Sequence, residues 1–231
     1  MAEVIPAILP KNYEDLKNRL ALVKGIVPMV QVDLCDGIFV PNKTWPFAGD
    51  SETDINFRRI LNEEEGLPFW EEVDFELDLM VADAVENFDL YMKLGVKRVV
   101  FHIEAIKDPE NFKEFLEGID PYVREMTEIG IAINPTTELE SIFPIISLVD
   151  FVQCMAIGRI GYQGEPFHVG VLDYIKILKE KFPDMVISVD GGVNPKTAPR
   201  LLSAGADRLV VGSAIFNSDD IIGTIEEFKC L

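Results

Sequence analysis

The sequence predicts a closed α/β barrel of the (β/α)8 TIM type, and three observations carry that expectation. Eight short apolar runs alternate strictly with eight helical patterns along 231 residues, a length at which such barrels commonly form a single domain. Several of the runs are near-continuous and β-branched, as strands of a parallel sheet covered on its outer face must be. No G-x-G-x-x-G follows the first run, which disfavours a doubly wound open sheet. Residues 1–231 are therefore expected to form one barrel domain, undivided by any linker or low-complexity tract.

The elements follow in order. The first strand is expected at Val4–Leu9 and its helix at Tyr13–Val23, with Asn12 as N-cap. Met29–Val32 gives the second strand and Asp54–Leu61 the second helix. Between them, residues 34–53 form a long loop carrying Trp45 and Phe47, expected as a lid or a subunit contact on the substrate face. Residues 62–74 combine a solvated charge run, Glu63-Glu64-Glu65, with an aromatic clamp, Pro68-Phe69-Trp70. Phe75–Met80 and Arg98–His102 are strands three and four, followed by helices at Val85–Leu94 and at Pro109–Ile129, the latter broken near Gly118. Strand five is expected at Ile131–Ile133. A helix over Glu138–Ile146 follows, opened by a Thr137/Glu140 capping box. The last strands are Phe151–Met155, Val186–Val189 and Arg208–Val211, with helices at Val171–Lys181, Pro195–Ser203 and Asp219–Phe228. Asn194-Pro195 supplies an N-cap and an N1 proline. Gly95, Gly130 and Gly205 each stand before a strand and are expected as left-handed C-caps.

Composition narrows the function. A net charge of −19 argues against nucleic acid or an anionic membrane as partner. It leaves room for an anionic small molecule, which backbone amides hold locally. The chain has no apolar run of the roughly 20 residues a spanning helix needs and no secretory start, so a cytoplasmic protein is expected. The cysteines, Cys35, Cys154 and Cys230, form no C-x-x-C pair and are expected as reduced thiols. Cys35 is expected as a wall of the pocket.

Chemistry is expected where strands end. Asp33 follows strand two in the stretch Gln31 to Asn42, and Asp190 closes strand seven before Gly191-Gly192. The two are expected to face each other across a substrate. Glycine loops after strands six, seven and eight (Gly161 and Gly164, Gly191 and Gly192, Gly212-Ser213) let backbone N–H groups approach a phosphate. A short helix opening near Ser213 would aim its positive end at the same point. Met80 and Met155 end apolar strands on the same face, either as ordinary packing or as a soft floor beneath the substrate.

These stretches together resemble the ribulose-phosphate 3-epimerase family, from about Pro6 to Phe216. Asp33 to Asn42 is similar to its V-D-x-M-D-G-x-F-V-P-N, Phe75 to Met80 to its F-D-x-H-L-M, and His102 with Glu104 to its H-x-E. Asn134-Pro135-Thr136, Gly161 to Phe167, Val189 to Asn194 and Gly212 to Phe216 match further motifs in the same order. The resemblance implies a phosphate-binding barrel that epimerises a ketose phosphate at C3, D-ribulose 5-phosphate to D-xylulose 5-phosphate. It implies Asp33 and Asp190 as acid and base, and a divalent metal held on strands two, three and seven. Two family histidines are replaced here by Gln31 and Asp78. The expected ligand set, Gln31, Asp33, Asp78 and Asp190, is all oxygen and favours Mg2+ or Mn2+ over Zn2+. Loss of the metal is the competing expectation, leaving a sugar-phosphate binder or a lyase or decarboxylase of the same barrel type. Ala7 stands for a family serine on the substrate side, and Cys35 for a methionine. Arg159 enters the strand-six loop as a candidate phosphate clamp. The partner implied is a small phosphorylated sugar, with a homo-oligomer open by analogy.

Overall fold

The computed structural model describes residues 2–49 and 54–231. Its eight parallel strands close into a barrel in the order β1 to β8, with β1 paired to β8. They are β1 Glu3–Ile8, β2 Met29–Cys35, β3 Asp74–Met80, β4 Arg98–His102, β5 Glu128–Ile133, β6 Phe151–Met155, β7 Val186–Asp190 and β8 Arg208–Val211. The helices are α1 Tyr13–Val23, α2 Ile55–Leu61, α3 Phe88–Met92, α4 Pro109–Gly118, α5 Pro121–Met126, α6 Val171–Lys181, α7 Ala198–Ala204, α8 Ser213–Phe216 and α9 Ile221–Lys229. None of them is long and apolar enough to cross a membrane.

Side chains alternate along each strand, and this period of two sorts the core. On β2, Val30, Val32 and Leu34 join the large cluster beneath the helices, while Met29 and Cys35 belong to clusters inside the barrel. Gln31 and Asp33 share that inward parity. The same rule turns Glu76, Asp78 and Met80 of β3 inward, and Arg98, Val100 and His102 of β4. The N-terminal end of the barrel is closed by charge. Arg98 donates to both Glu3 oxygens at 3.1 and 3.0 Å, and Arg208 donates to Glu128 at 2.8 Å. Glu76 is fully buried beside them.

Several expected boundaries are corrected. β2 continues to Cys35, so Asp33 lies within a strand rather than at its end. β5 begins at Glu128, because Glu128, Gly130 and Ala132 already follow the inward alternation. Gly130 is thus a strand residue, not a helix cap; a Cβ there would collide with the Phe151 ring that fills the barrel. The fourth expected helix divides into α4 and α5, each opened by an aspartate cap and a proline. The fifth is replaced by short 3₁₀ turns at Leu139–Ile142 and Ile146–Leu148. Its Thr137 hydroxyl donates to Glu104 at 2.6 Å instead of capping. α7 starts at Ala198, since the Asn194 side chain is engaged in a tight turn with the amides of Lys196 and Thr197. Asn12 and Asp54 cap as helix starters should, accepting from Asp15 and Phe57.

The long β2–α2 loop is pinned to the barrel over its described part. Trp45 is 2% exposed and stands between Tyr13 and Phe57, with ring centroids 5.7 and 5.6 Å away. Its amide donates to Pro10 at 2.8 Å. Trp45 is thus core rather than a lid, while Ile38 nearer the strand is 79% exposed; residues 50–53 of the expected loop lie outside the described residues. In the 62–74 segment, Phe69 packs under the Lys24 ammonium at 4.1 Å, while Trp70 is exposed.

Candidate active site

A cleft enclosing about 490 Å³, its open mouth included, lies at the C-terminal end of the strands. Asp33 and Asp190 both line it, with Met80 and Met155 beneath and Ala7 at one side. The glycine loops after β6, β7 and β8 form its other end: Gly161, Gly164, Gly191, Gly192, Gly212 and Ser213 all line it. Gly191 and Gly192 have φ of +91° and +64°, a left-handed geometry that brings their backbone against Ile157 and Phe167. Asn42, from the β2 loop, donates to the Gly161 carbonyl at 2.8 Å and ties two rims of the cleft together.

Below the cleft floor the acids are held by two side-chain amides and an imidazole. The Gln31 amide donates to Asp33 at 2.7 Å and to Asp190 at 3.1 Å, so one side chain spans both acids. Asp78 is bonded to His102 Nε2 at 2.7 Å and accepts from Gln153 at 3.2 Å. Gln31, Asp78, His102 and Gln153 are wholly buried, which hides Gln31 and Asp78 behind the lining residues. Burial and the charges of Asp190 and Asp78 push the Asp33 carboxyl well above its ordinary range, against the lowering effect of the Gln31 amide. Asp190 is pushed up to about 7 by burial and by Asp78, with Gln31, His102 and the Gly191 amide pulling the other way. For His102, burial favours the neutral ring, but Asp78 outweighs it and the pKa is raised.

Asp33, Asp78 and Asp190 each offer a carboxylate oxygen, and these atoms lie within 4.8 Å of one another. The carbonyl oxygens of Gln31 and Gln153 are buried beside them without a hydrogen-bond partner. This crowd of hard oxygen donors fits a divalent cation of the Mg2+ or Mn2+ type. Gln31 turns its amide N–H groups, not its oxygen, toward the two acids here.

Two expected pocket residues lie elsewhere. Cys35 is fully buried behind the cleft wall, packed with Met80 and Met155, and burial with the Asp33 charge pushes its thiol far up; it is inert. Arg159 does not line the cleft. Its side chain is 63% exposed and bonded to Glu165 at 2.7 Å, because the loop directs it outward along the neighbouring carboxylate. Sequence reasoning missed Gln153 and Glu165, and reached Gln163 only as part of the Gly161 to Gly164 loop, with no role for its side chain. Gln153 was within reach of the period-two rule on β6, as the inward residue before Met155. Gln163 and Glu165 sit in an irregular loop, where no periodicity points a side chain.

Comparisons with known proteins place the chain in a family. The model of the ribulose-phosphate 3-epimerase family matches residues 3–216. A ribulose-phosphate 3-epimerase of Methanocaldococcus jannaschii is 30% identical, over 99% of this chain and 90% of its own length. The Bacillus subtilis enzyme of that name is 27% identical, over 99% of both chains. Among solved structures, the 3-keto-L-gulonate-6-phosphate decarboxylase from Vibrio cholerae superposes with a TM-score of 0.66 at 13% identity, covering 99% of this chain and 96% of the other. A 3-hexulose-6-phosphate synthase gives 0.67 at 17% identity, covering 99% and 98%. Those likenesses concern the fold alone. With a family match over nearly the whole barrel, the chain belongs to the ribulose-phosphate 3-epimerase family and is an epimerase-type enzyme.

Proposed function

We propose that the protein interconverts D-ribulose 5-phosphate and D-xylulose 5-phosphate, with Asp33 and Asp190 moving the C3 proton. The observation that carries this is the shared Gln31 amide, which fixes the two carboxyl groups in one cleft at 2.7 and 3.1 Å from a single nitrogen. Inversion at C3 needs one ionised carboxylate to take the proton and one carboxylic acid to return a proton to the opposite face. Crowded acids titrate in separate steps, so a half-protonated pair is the natural state near neutrality. Without a bound cation, burial and the Asp78 charge raise Asp190 to about 7, and a cation held beside it would draw that value down toward the ionised form. Gln31 keeps both carboxyls oriented, and His102 with Gln153 holds Asp78. Met80 and Met155 exclude water from beneath the reacting carbon. The phosphate takes the glycine end, against Gly161, Gly164, Gly191, Gly192, Gly212 and Ser213. Asp33, Asp78 and Asp190 would hold the divalent ion, whose positive charge, when bound, steadies the developing enediolate oxygens; Gln31 would join them only with its amide turned over to present its oxygen.

The test is turnover of D-ribulose 5-phosphate in a coupled assay. The wild-type protein should turn over, and Asp33→Asn and Asp190→Asn should each lose at least about a hundredfold in kcat. Chelation should suppress activity, and Mg2+ or Mn2+ should restore it. Folded aspartate variants with wild-type rates would refute the assignment of acid and base, and full activity in chelator would refute the metal.

A further inference from the structure

The phosphate end of the cleft carries an ionisable group that opposes its proposed ligand. Glu165 lines the cleft between Gly164 and the β7 loop, with a side chain 20% exposed. The other ionisable carboxyls on the lining are Asp33 and Asp190, and none of the described lining residues is Lys, Arg or His. An anion entering this end therefore meets neutral donors (backbone amides, the Gln163 amide and the Tyr162 and Ser213 hydroxyls) and a carboxylate, but no cationic side chain on the lining. Unrelieved, that carboxylate would repel a phosphate dianion through a partly desolvated path. Relief comes from outside the cleft. Arg159 Nη2 sits 2.7 Å from Glu165 Oε1, and its guanidinium stacks 4.2 Å above the ring of Tyr162, another lining residue. The guanidinium is thus held by one hydrogen bond and one stacked ring, which direct it at Glu165 rather than into the cleft.

We propose that Arg159 is a positioning residue that offsets the charge of Glu165 and so sets the affinity of this cleft for phosphorylated ligands. The proposal rests on the reading that the ligand's phosphate docks at the glycine end. It differs from a direct clamp in one respect: the value of Arg159 depends wholly on Glu165.

A two-residue cycle tests it, reading KM for D-ribulose 5-phosphate and competitive inhibition by inorganic phosphate. Arg159→Ala should raise both constants by about tenfold, a modest figure because the pair is partly solvated. The change should fall on KM rather than kcat. Glu165→Gln, which leaves a guanidinium at the rim without its counter-charge, should lower both constants. The double variant Arg159→Ala/Glu165→Gln should return to within about threefold of the wild type, a rescue that a purely structural role of Arg159 would not give. An equal loss in the single and double arginine variants would overturn the proposal in favour of a direct clamp, and an unchanged KM in Arg159→Ala would remove any role. Wild-type protein that neither turns over the ketose phosphate nor binds inorganic phosphate would instead bring down the functional reading, and this proposal with it.

Discussion

Glu76 illustrates how one inward-facing side chain sets a pH response for the fold. It sits among Glu3, Glu128, Arg98 and Arg208, so three carboxyls share two guanidiniums, and its own oxygens find no hydrogen-bond partner. The nearest cation, on Arg98, stays 3.7 Å away. Burial, only partly offset by Arg98 and Arg208, raises its pKa from 4.5 to about 8. The unfolded chain releases this proton first, so Glu76 destabilises the fold progressively as pH rises from about 4.5 to about 8, by up to about 1.4 kcal/mol per unit. Denaturant unfolding at pH 5.5 and 7.5 should show the wild type losing stability relative to Glu76→Gln as pH rises. A constant difference between the two proteins would contradict the assignment. At this scale the sequence was legible where an acid stood at the C-terminal end of an apolar run, as Asp33 and Asp190 did, though β2 runs on past Asp33. It was not legible for Arg159, whose direction depends on which of several loop partners a long flexible side chain meets.

Among the elements, the β2–α2 loop departs most from its expected role. Aromatic residues in a long loop on the substrate face suggest a lid, yet Trp45 is buried against α1 and α2, and Cys35 and Asp33 anchor the Thr44 hydroxyl beside it. Trp45→Ala should therefore cost about 3–5 kcal/mol of folding stability, the usual loss for a buried large aromatic. Urea titration checks this; a near-neutral change with an altered KM would restore the lid. The strands were legible because their apolar alternation outlasts local detail. The segment after β5 was not: Pro144 follows one short turn and breaks a helical pattern, leaving Leu139–Ile142 and Ile146–Leu148 as separate 3₁₀ turns. The early start of β5 was hidden because Glu128 and Gly130 are poor strand formers on their own. They face the barrel interior, where Arg208 and the Phe151 ring supply what propensity does not.

For the whole molecule, closure of the barrel is what turns distant motifs into a site. Asp33 and Asp190 are 157 residues apart in the numbering, yet the ring brings both onto the Gln31 amide, with β3 supplying Asp78 and three loops supplying glycine backbone. Two-sided proton transfer at one carbon is the central claim, and isotope exchange reads it most directly. The wild-type protein, supplied with Mg2+ or Mn2+, would be incubated with D-ribulose 5-phosphate in heavy water, and the recovered sugars examined by NMR. Deuterium should appear at C3, carried by D-xylulose 5-phosphate as product, with no exchange at C4 or C5. Binding of the sugar phosphate without any deuterium entering C3 would contradict the account.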